Sequence, residues 1–115
     1  SGSDRATFLI IDEQPCGLGA LYRDGNEADV GELIQMWVSP KLRGSSAANG
    51  LLSEIFHWAA CNGFSRIKAE VQKDNDRALR FYEKFGFELS DDKSLHSESS
   101  VMLTKRVDQD SGDNG

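Results

Sequence analysis

The chain has 115 residues, of which 38% are hydrophobic and 28% are charged, as is typical of one globular domain. Its formal net charge of -6 disfavours a nucleic-acid-binding protein, which usually carries a basic surplus. No apolar run approaches the ~18 residues that a membrane span needs. The two cysteines, Cys16 and Cys61, lack the spacing of a zinc site or a disulfide framework. We therefore expect a soluble domain of the reducing cytoplasm without a metal, nucleic-acid or membrane partner.

Two short ends of the chain are predicted to lie outside this domain. Ser1-Gly2-Ser3 looks like a remnant of cloning. Asp108–Gly115 (DQDSGDNG) contains no apolar residue and is predicted to be a flexible tail. The sequence therefore predicts one domain over residues 4–107.

The first third of the domain has the pattern of three strands. Ala6–Ile11 is β-branched and apolar, Leu18–Tyr22 is a second short strand, and Gly31–Val38 is a third and longer one. Gln14-Pro15 is predicted to turn the chain after the first strand. Asp24-Gly25 is predicted to form the next turn, because glycine tolerates positive φ.

The hydrophobic period then changes. Apolar residues recur at three- and four-residue spacing over Ser45–Cys61, which predicts a helix with one apolar face, and Gly63 is expected to end it in the left-handed conformation. Arg66–Val71 alternates with period two and is predicted to be a strand.

A second helix is predicted over residues 75–85, with Asn75 as its N-cap and Gly86 closing it. Phe87–Leu89 and Val101–Val107 supply two final strands. This order of elements predicts an α+β fold with a mixed sheet. Because the first helix crosses between the third and fourth strands, we expect those two strands to be a parallel pair.

The junction between the third strand and the first helix (SPKLRGSSAANGLL) has features of an anion-binding site. Residues 39–53 carry two bases and no acid within an acidic chain. The first turn of a helix usually favours Asp or Glu, whereas Gly44 to Ala48 are all small and leave backbone N–H groups open to an anion. The junction has neither P-loop nor GxGxxG spacing. It therefore predicts either a phosphate-binding loop or an ordinary helix N-terminus packed on the sheet.

Two segments resemble the signatures of the GNAT superfamily of N-acetyltransferases. Lys41-Leu42-Arg43-Gly44-Ser45-Ser46 is similar to the motif Q/R-x-x-G-x-G/A, with Lys41 in place of Gln or Arg and Ser46 in place of Gly. Residues 75–87 (NDRALRFYEKFGF) match the second signature, N-x-x-A-x-x-F/L-Y-x-x-x-G-F, closely. The resemblance runs from about residue 6 to residue 107 and implies a mixed sheet with a crossover helix after a splayed central strand.

The sequence departs from this superfamily at its start. Members normally begin with a strand and two helices before the hairpin that starts here at Ala6, and those helices usually wall the acceptor pocket. Truncation, an N-terminal part absent from the sequence, and a wall supplied by another chain, as in a homodimer, are the open explanations.

The resemblance implies acetyl-CoA as the donor substrate. Its pyrophosphate is expected on the backbone N–H groups of residues 43–48, its pantetheine arm along the edge of the third strand, and further contacts on the second helix. The implied cofactor-binding residues are Met36, Trp37, Val38, Lys41, Arg43, Gly44, Ser45, Ser46, Ala47, Ala48, Asn75, Ala78 and Tyr82.

Tyr82 matches the superfamily's usual general acid, which protonates the leaving thiolate. Ala78 and Tyr82 are four residues apart and share a helix face. A phenol with a pKa of ~10 and a thiol with a pKa of ~8.5 are close enough for that proton transfer. The alternative is a tyrosine that packs in the core with its hydroxyl at the rim.

Glu32 matches a position where some members carry a general base for the acceptor amine. A period of two would place Glu32, Ile34, Met36 and Val38 on one face of the third strand. A carboxylate at the start of an otherwise apolar row is a candidate base. The alternative is a strand-end residue that points into solvent.

These features predict an N-acetyltransferase that moves the acetyl group of acetyl-CoA to a primary amine by direct attack. The alternatives are a non-catalytic CoA-binding module of the GNAT fold and a nucleotide-binding adaptor, which would leave the second signature unexplained. The acceptor is expected to be a small-molecule or peptide amine. Surplus acid in Ser1–Val38 favours a cationic one, although a solvated acidic face explains that surplus equally well.

Gly44→Asp is predicted to weaken acetyl-CoA binding strongly, because it adds a side chain and a negative charge where the pyrophosphate is expected. Isothermal titration calorimetry measures the affinity, and circular dichroism controls for folding. Arg43→Ala should have a milder effect that shrinks as salt concentration rises. Unchanged affinity of a folded Gly44→Asp variant would contradict the phosphate-binding loop.

Overall fold

Six strands form one mixed sheet with two helices packed on one face, which confirms the predicted α+β fold. The computed structural model describes residues 4–42 and 46–107. The strands are β1 (Arg5–Asp12), β2 (Gln14–Arg23), β3 (Val30–Val38), β4 (Arg66–Gln72), β5 (Glu88–Leu89) and β6 (Ser100–Arg106), and the helices are α1 (Ala47–Cys61) and α2 (Asp76–Phe85). Two short 3-10 helices, Pro40–Leu42 and Lys93–Leu95, were not predicted from the sequence.

The strand order is β1-β2-β3-β4-β6-β5. Strands β3 and β4 pair in parallel across the α1 crossover, as predicted, and the other described pairs are antiparallel. In the described ranges, none of the helices has the length and apolar character needed to cross a bilayer.

The predicted turn at Gln14-Pro15 is wrong, because strand β2 already begins at Gln14. The chain reverses one residue earlier, at Glu13, which has a φ of 71°. Pro15 pairs with Ile11 beside a bulge. It lies beyond Gly17, the last β2 residue paired with β3, so its missing N–H removes no bond on that side.

The turn predicted at Asp24-Gly25 is present, but the reason given for it is wrong. Gly25 is not among the described residues with positive φ. The Asp24 carboxylate shapes the turn instead, because it accepts hydrogen bonds from the backbone N–H groups of Asn26 and Glu27, each at 2.9 Å. Its other oxygen lies 2.9 Å from the Lys68 Nζ on β4, which ties the turn to the middle of the sheet.

The predicted helix ends are largely confirmed. Gly63 and Gly86 adopt the left-handed conformation, with φ of 84° and 114°. The Asn75 side chain caps α2 by accepting a hydrogen bond from the Ala78 N–H. Helix α1 begins at Ala47 rather than Ser45, and Ser45 lies outside the described residues.

The two final strands are present, and their bounds differ from the prediction except at Leu89, where β5 ends as predicted. Strand β5 begins at Glu88, and Phe87 is a core residue that is 2% exposed. Strand β6 runs over Ser100–Arg106, one residue earlier than predicted at each end.

The core lies between the sheet and the two helices. The apolar face of α1 buries Leu52 and Ile55 completely against Leu21 and Ile67 of the sheet. The rings of Phe56 on α1 and Phe85 on α2 lie 5.4 Å apart and join the helices into one layer. The opposite face of the sheet carries no helix in the described part of the chain, and we call it the open face.

A β-bulge in β3 determines which of its side chains face the helices. Leu33 pairs with Leu21 and Gln35 pairs with Ala20, so Ile34 has no partner on β2. Glu32 therefore lies on the open face, whereas Met36 lies on the helix face. The expectation that Glu32 and Met36 share a face is wrong, because the extra residue reverses the alternation.

Strands β3 and β4 also stay together for only part of their length. Their pairing joins Val30–Leu33 to Arg66–Ala69 and then stops, although β4 continues beside β6 to Gln72. Beyond Leu33, the edge of β3 that faces away from β2 has no partner strand among the described residues. This parting of the strands opens the sheet beside α1.

Asp24→Ala is predicted to lower the free energy of unfolding by about 1–3 kcal/mol, because two N–H donors and the Lys68 ammonium lose their partner. The Lys68 ammonium, followed by the Asn26 N–H, lowers the pKa of Asp24. A depressed carboxyl pKa stabilises the fold above the unfolded value of ~3.9 and loses this effect as pH falls through the folded value. Urea unfolding from pH 7 to about pH 2 should therefore show a wild-type advantage that shrinks as pH falls below about 4. Glu27→Ala, which keeps the backbone donor, is the matched control, and an equal loss in this control would refute the role of the Asp24 carboxylate.

Candidate active site

A cavity of about 950 Å³ lies where β3 and β4 part, between the end of β3, the start of α1 and one face of α2. Its volume is in the range of cofactor sites. The lining residues are Met36, Trp37, Val38, Ala48, Asn49, Asn75, Arg77, Ala78, Phe81, Tyr82, Lys84 and Phe85. The cavity thus brings together seven of the residues predicted to bind a cofactor.

The β3 wall of the cavity supplies backbone hydrogen-bonding groups. The Ser39 N–H donates to the Cys16 carbonyl at 2.7 Å, which sets the alternation of the β2–β3 ladder. By that alternation, Met36 and Val38 direct their N–H and C=O groups away from β2 and towards the cavity. Trp37 directs its backbone groups to β2 and its side chain to the open face, where it is 46% exposed.

The α1 wall is the first turn of the helix. That turn contains no acidic residue, and the side chain of Ser46 at the N-cap makes no capping hydrogen bond. Ala48 and Asn49, the second and third residues of the helix, line the cavity, and N–H groups at these positions have no acceptor within a helix. The wall can therefore accept an anion or a carbonyl oxygen.

Several predicted cofactor residues do not line the cavity. Lys41 is exposed in the 3-10 helix before α1, and Ser46 and Ala47 lie beside the cavity without forming part of its wall. Arg43, Gly44 and Ser45 lie outside the described residues. The predicted contacts of the pyrophosphate loop thus stay predictions.

Tyr82 is the buried polar group of this site. Only 6% of its surface is exposed, and its ring packs against those of Phe81 and Phe87, with centroids 5.4 and 5.0 Å away. Within residues 4–42 and 46–107, its hydroxyl makes no hydrogen bond. Burial raises the pKa of the Tyr82 hydroxyl to about 12. A buried hydroxyl without a protein partner at a cavity wall is a position where a ligand can supply the missing hydrogen bond.

Sequence reasoning missed five lining residues: Asn49, Arg77, Phe81, Lys84 and Phe85. Four of them belong to α2, where residues 77, 81, 84 and 85 recur at the three- and four-residue spacing of one helix face. This spacing relative to Ala78 and Tyr82 was a signal that could have identified them. Asn49 carried no such signal.

Glu32 does not line the cavity. It lies on the open face opposite Lys68 of β4, and the carboxylates of Asp24 first, then Glu32 and Glu27, raise the pKa of the Lys68 ammonium. The role of Glu32 as a general base stays a prediction, since the bulge places the side chains of Glu32 and Met36 on opposite faces of the sheet.

Neither histidine belongs to the site. His57 is exposed on α1. The His96 ring lies between strand ends, with Nδ1 accepting from the Met102 N–H at 3.0 Å and Nε2 lying 2.9 Å from the Ser90 carbonyl oxygen. It therefore holds the loop between β5 and β6. Over the described ranges, no three His, Cys, Asp or Glu side chains cluster as metal ligands would.

Solved structures share this arrangement of sheet and helices. The PaiA N-acetyltransferase of Thermoplasma acidophilum, solved in complex with coenzyme A, superposes with a TM-score of 0.79 at 21% identity, over 90% of this chain and 61% of its own. A GNAT-family acetyltransferase from Staphylococcus aureus gives a TM-score of 0.80 at 18% identity, over 91% and 69%. One from Streptococcus pneumoniae gives 0.74 at 19% identity, over 90% and 67%. The chain thus spans 61% to 69% of the length of these proteins, and its fold is the GNAT fold.

The sequence agrees with that fold. A sequence model of the acetyltransferase (GNAT) family matches residues 2–87, which is most of the chain. The chain therefore belongs to the acetyltransferase (GNAT) family, and the resemblance drawn from its two motifs is confirmed.

The burial of Tyr82 predicts a stability difference at alkaline pH. Folding raises the pKa of Tyr82 from ~10 to about 12, because the buried hydroxyl resists ionisation. The stabilisation that its neutral form provides is complete below pH ~10 and is lost as pH rises through about 12. Relative to Tyr82→Phe, the wild type should lose roughly 2–3 kcal/mol of unfolding free energy between pH 10 and pH 12. Urea unfolding of both proteins across this range measures the difference.

The matched control is Tyr22→Phe, which removes the hydroxyl of a tyrosine that is 38% exposed on the open face. It should parallel the wild type over the same pH range. A wild-type curve parallel to that of Tyr82→Phe would mean that the Tyr82 hydroxyl is not desolvated in solution.

Proposed function

We propose that this chain binds acetyl-CoA in the cavity and transfers the acetyl group to a primary amine, with Tyr82 as the general acid. The observation that carries the proposal is the Tyr82 hydroxyl, which is buried and lacks a hydrogen-bond partner in the described structure. It lies on the same cavity wall as the face of α2 that starts at Asn75, whose side chain caps this helix. Membership of the acetyltransferase (GNAT) family and a neighbour solved with coenzyme A support acetyl-CoA as the donor.

The cavity walls suit the chemistry of this donor. The pantetheine arm of CoA contains amide groups, and the outward N–H and C=O groups of Met36 and Val38 can pair with them as a neighbouring strand would. The N–H groups of Ala48 and Asn49 suit an anionic part of the donor. Arg77 and Lys84 add two cationic side chains to the same cavity.

The proton transfer follows from the state of Tyr82. A hydroxyl with a pKa of about 12 stays protonated at neutral pH, so the donor form is always present. When the amine nitrogen attacks the thioester carbonyl, a C–N bond forms, the nitrogen loses one proton to a base or water, the C–S bond breaks and the sulfur takes the Tyr82 proton. The Tyr82 phenolate then regains a proton from solvent. A free thiol has a pKa of ~8.5, which would make this transfer uphill, but the burial that disfavours a phenolate also disfavours a thiolate in the same cavity.

The acceptor must arrive as a neutral amine. A lysine-like amine with a pKa of ~10.4 is neutral in roughly one molecule in 2,500 at pH 7, so a base or a water chain assists the attack. Glu32 is the candidate base that the sequence offers. A cationic acceptor, such as a polyamine, an aminoglycoside or a peptide amine, fits the acidic surplus of the first strands.

Tyr82→Phe is predicted to lower turnover roughly 10- to 1,000-fold, the range for a lost general acid. Affinity for acetyl-CoA should stay within about a few-fold, because the ring and its packing remain. Release of free thiol, followed across a panel of amines under conditions where chemistry limits the rate, measures turnover. Tyr22→Phe is the control and should leave both quantities unchanged.

Two outcomes would contradict the proposal. Full turnover by Tyr82→Phe would mean that solvent or another group protonates the sulfur. A wild-type chain that binds acetyl-CoA but acetylates none of the amines would be a non-catalytic CoA-binding module instead.

A further inference from the structure

The parting of β3 and β4 connects the cavity with the other side of the sheet. The last pair that joins the two strands is Leu33 with Ala69. With the donor in the cavity on the helix face, as the proposed function has it, the space for the acceptor amine lies on the open side of this parting. A side chain that acts on the amine therefore has to belong to the open face and to adjoin the last pair.

Glu70 meets both conditions. It follows Ala69 on β4 and is thus the first residue of that strand beyond the last pair. Ala69 and Val71, on either side of it, are in the core cluster on the helix face, so the Glu70 side chain points to the open face. Tyr82 belongs to the same cluster. The Glu70 carboxylate and the Tyr82 hydroxyl thus belong to opposite faces of the sheet where the strands part.

A buried hydroxyl holds the Glu70 carboxylate in place. Ser100 of β6 is 1% exposed, and its Oγ donates to Oε2 of Glu70 at 2.7 Å. Because the Ser100 proton is used in this bond, the Ser97 hydroxyl, 3.0 Å away, is the donor to the Ser100 Oγ. A hydrogen bond from a hydroxyl to a carboxylate is among the stronger ones. Ser100 therefore fixes one oxygen of Glu70, whereas Oε1 accepts no hydrogen bond within residues 4–42 and 46–107.

Glu32, the base that the sequence offers, lies elsewhere. It is opposite Lys68, in the part of the sheet where β3 and β4 are still joined. The carboxylates of Asp24 and, after it, Glu32 raise the pKa of the Lys68 ammonium. The charge of Glu32 therefore stabilises a cation of this chain, and Glu70 is the carboxylate next to the opening.

We propose that Glu70 is the general base of the acetyl transfer, which rests on the function proposed above, and that Ser100 positions its carboxylate. As the neutral amine attacks the thioester carbonyl, the C–N bond forms and the nitrogen becomes positively charged. The proton that this nitrogen loses passes to Oε1 of Glu70, while the C–S bond breaks and the sulfur takes the Tyr82 proton. Glu70 then gives its proton to solvent and Tyr82 regains one, so both groups return to their initial states.

Glu70→Gln tests the proposal, because it keeps the shape of the side chain and an acceptor for Ser100 but cannot take up a proton. Turnover of an amine that the wild type acetylates should fall about 100-fold, within the range for a lost general base. Affinity for acetyl-CoA, measured by calorimetry, should stay unchanged. The matched control is Glu88→Gln, an exposed glutamate in the same row of the open face as Thr104 and Lys68, and it should retain full turnover.

Chemical rescue distinguishes a proton acceptor from a structural residue. Formate should restore part of the turnover of Glu70→Ala, because a small carboxylate can take the proton in the space left by the side chain. It should not restore Tyr82→Phe, which lacks a proton donor. A loss in Glu70→Ala that formate leaves unchanged would mean that Glu70 acts through the structure only, and the proposal would be wrong.

A double-mutant cycle tests the role of Ser100. Ser100→Ala should lower turnover about 10-fold in the wild type and have no effect in the Glu70→Ala background, because it acts only through that carboxylate. Equal losses in both backgrounds would contradict this positioning role. Circular dichroism checks the fold of each variant.

The outcomes separate this base from the proposed function itself. Full turnover by Glu70→Gln would overturn the assignment and leave acetyl transfer with Tyr82 as the acid intact. A loss in Glu32→Gln alone would place the base at Glu32. A wild-type chain that acetylates no amine would overturn the proposed function and this base with it.

Discussion

The rest of this structure depends on the β-bulge at Ile34, the residue of β3 that has no partner on β2. It reverses the alternation of β3, so the strand presents Leu33 and Met36 to the helices although these residues are three apart. Pairing with β4 ends at the same place. A straight, fully paired β3 would have used the backbone groups of Met36 and Val38 in the sheet and left no cavity. At the bulge, β3 loses sheet hydrogen bonds, and the backbone groups left on its outer edge are available to a ligand or to water.

The aromatic cluster between the helices links stability to the site. Phe81 and Phe87 hold the Tyr82 ring in place, and Phe56 and Phe85 join α1 to α2 behind it. The same burial that stabilises these rings removes water from the Tyr82 hydroxyl and raises its pKa. The ring packing of Tyr82 and the pKa of its hydroxyl therefore depend on the same burial. Only a variant that keeps the ring and removes the hydroxyl distinguishes the two contributions.

The two faces of the sheet differ in how much apolar surface they bury within this chain. The helix face buries Leu52, Ile55 and Ile67 completely, which provides most of the hydrophobic stabilisation. The open face leaves Leu9 and Trp37 in contact with water at a cost in free energy.

Much of the fold was determined by local sequence. Asn75 and Gly86 specify the ends of α2, because a side-chain cap and a left-handed glycine act within a few residues. The apolar spacing over α1 specifies its buried face, and the second motif identifies the family. The parallel β3–β4 pair follows from the length of the crossover between them. The positions of Ala78 and Tyr82 on one helix face required only the helical period.

Tertiary structure alone decided the rest. The sequence could not show the bulge at Ile34, since an extra residue appears only when β3 is paired against β2. It could not show that Lys68 of β4 holds the Asp24 carboxylate, because Lys68 is more than forty residues away along the chain. The shift in the pKa of Tyr82 likewise depends on burial in the core that the sheet, α1 and α2 form together. Register and desolvation arise from contacts between distant segments, and no local pattern of residues contains them.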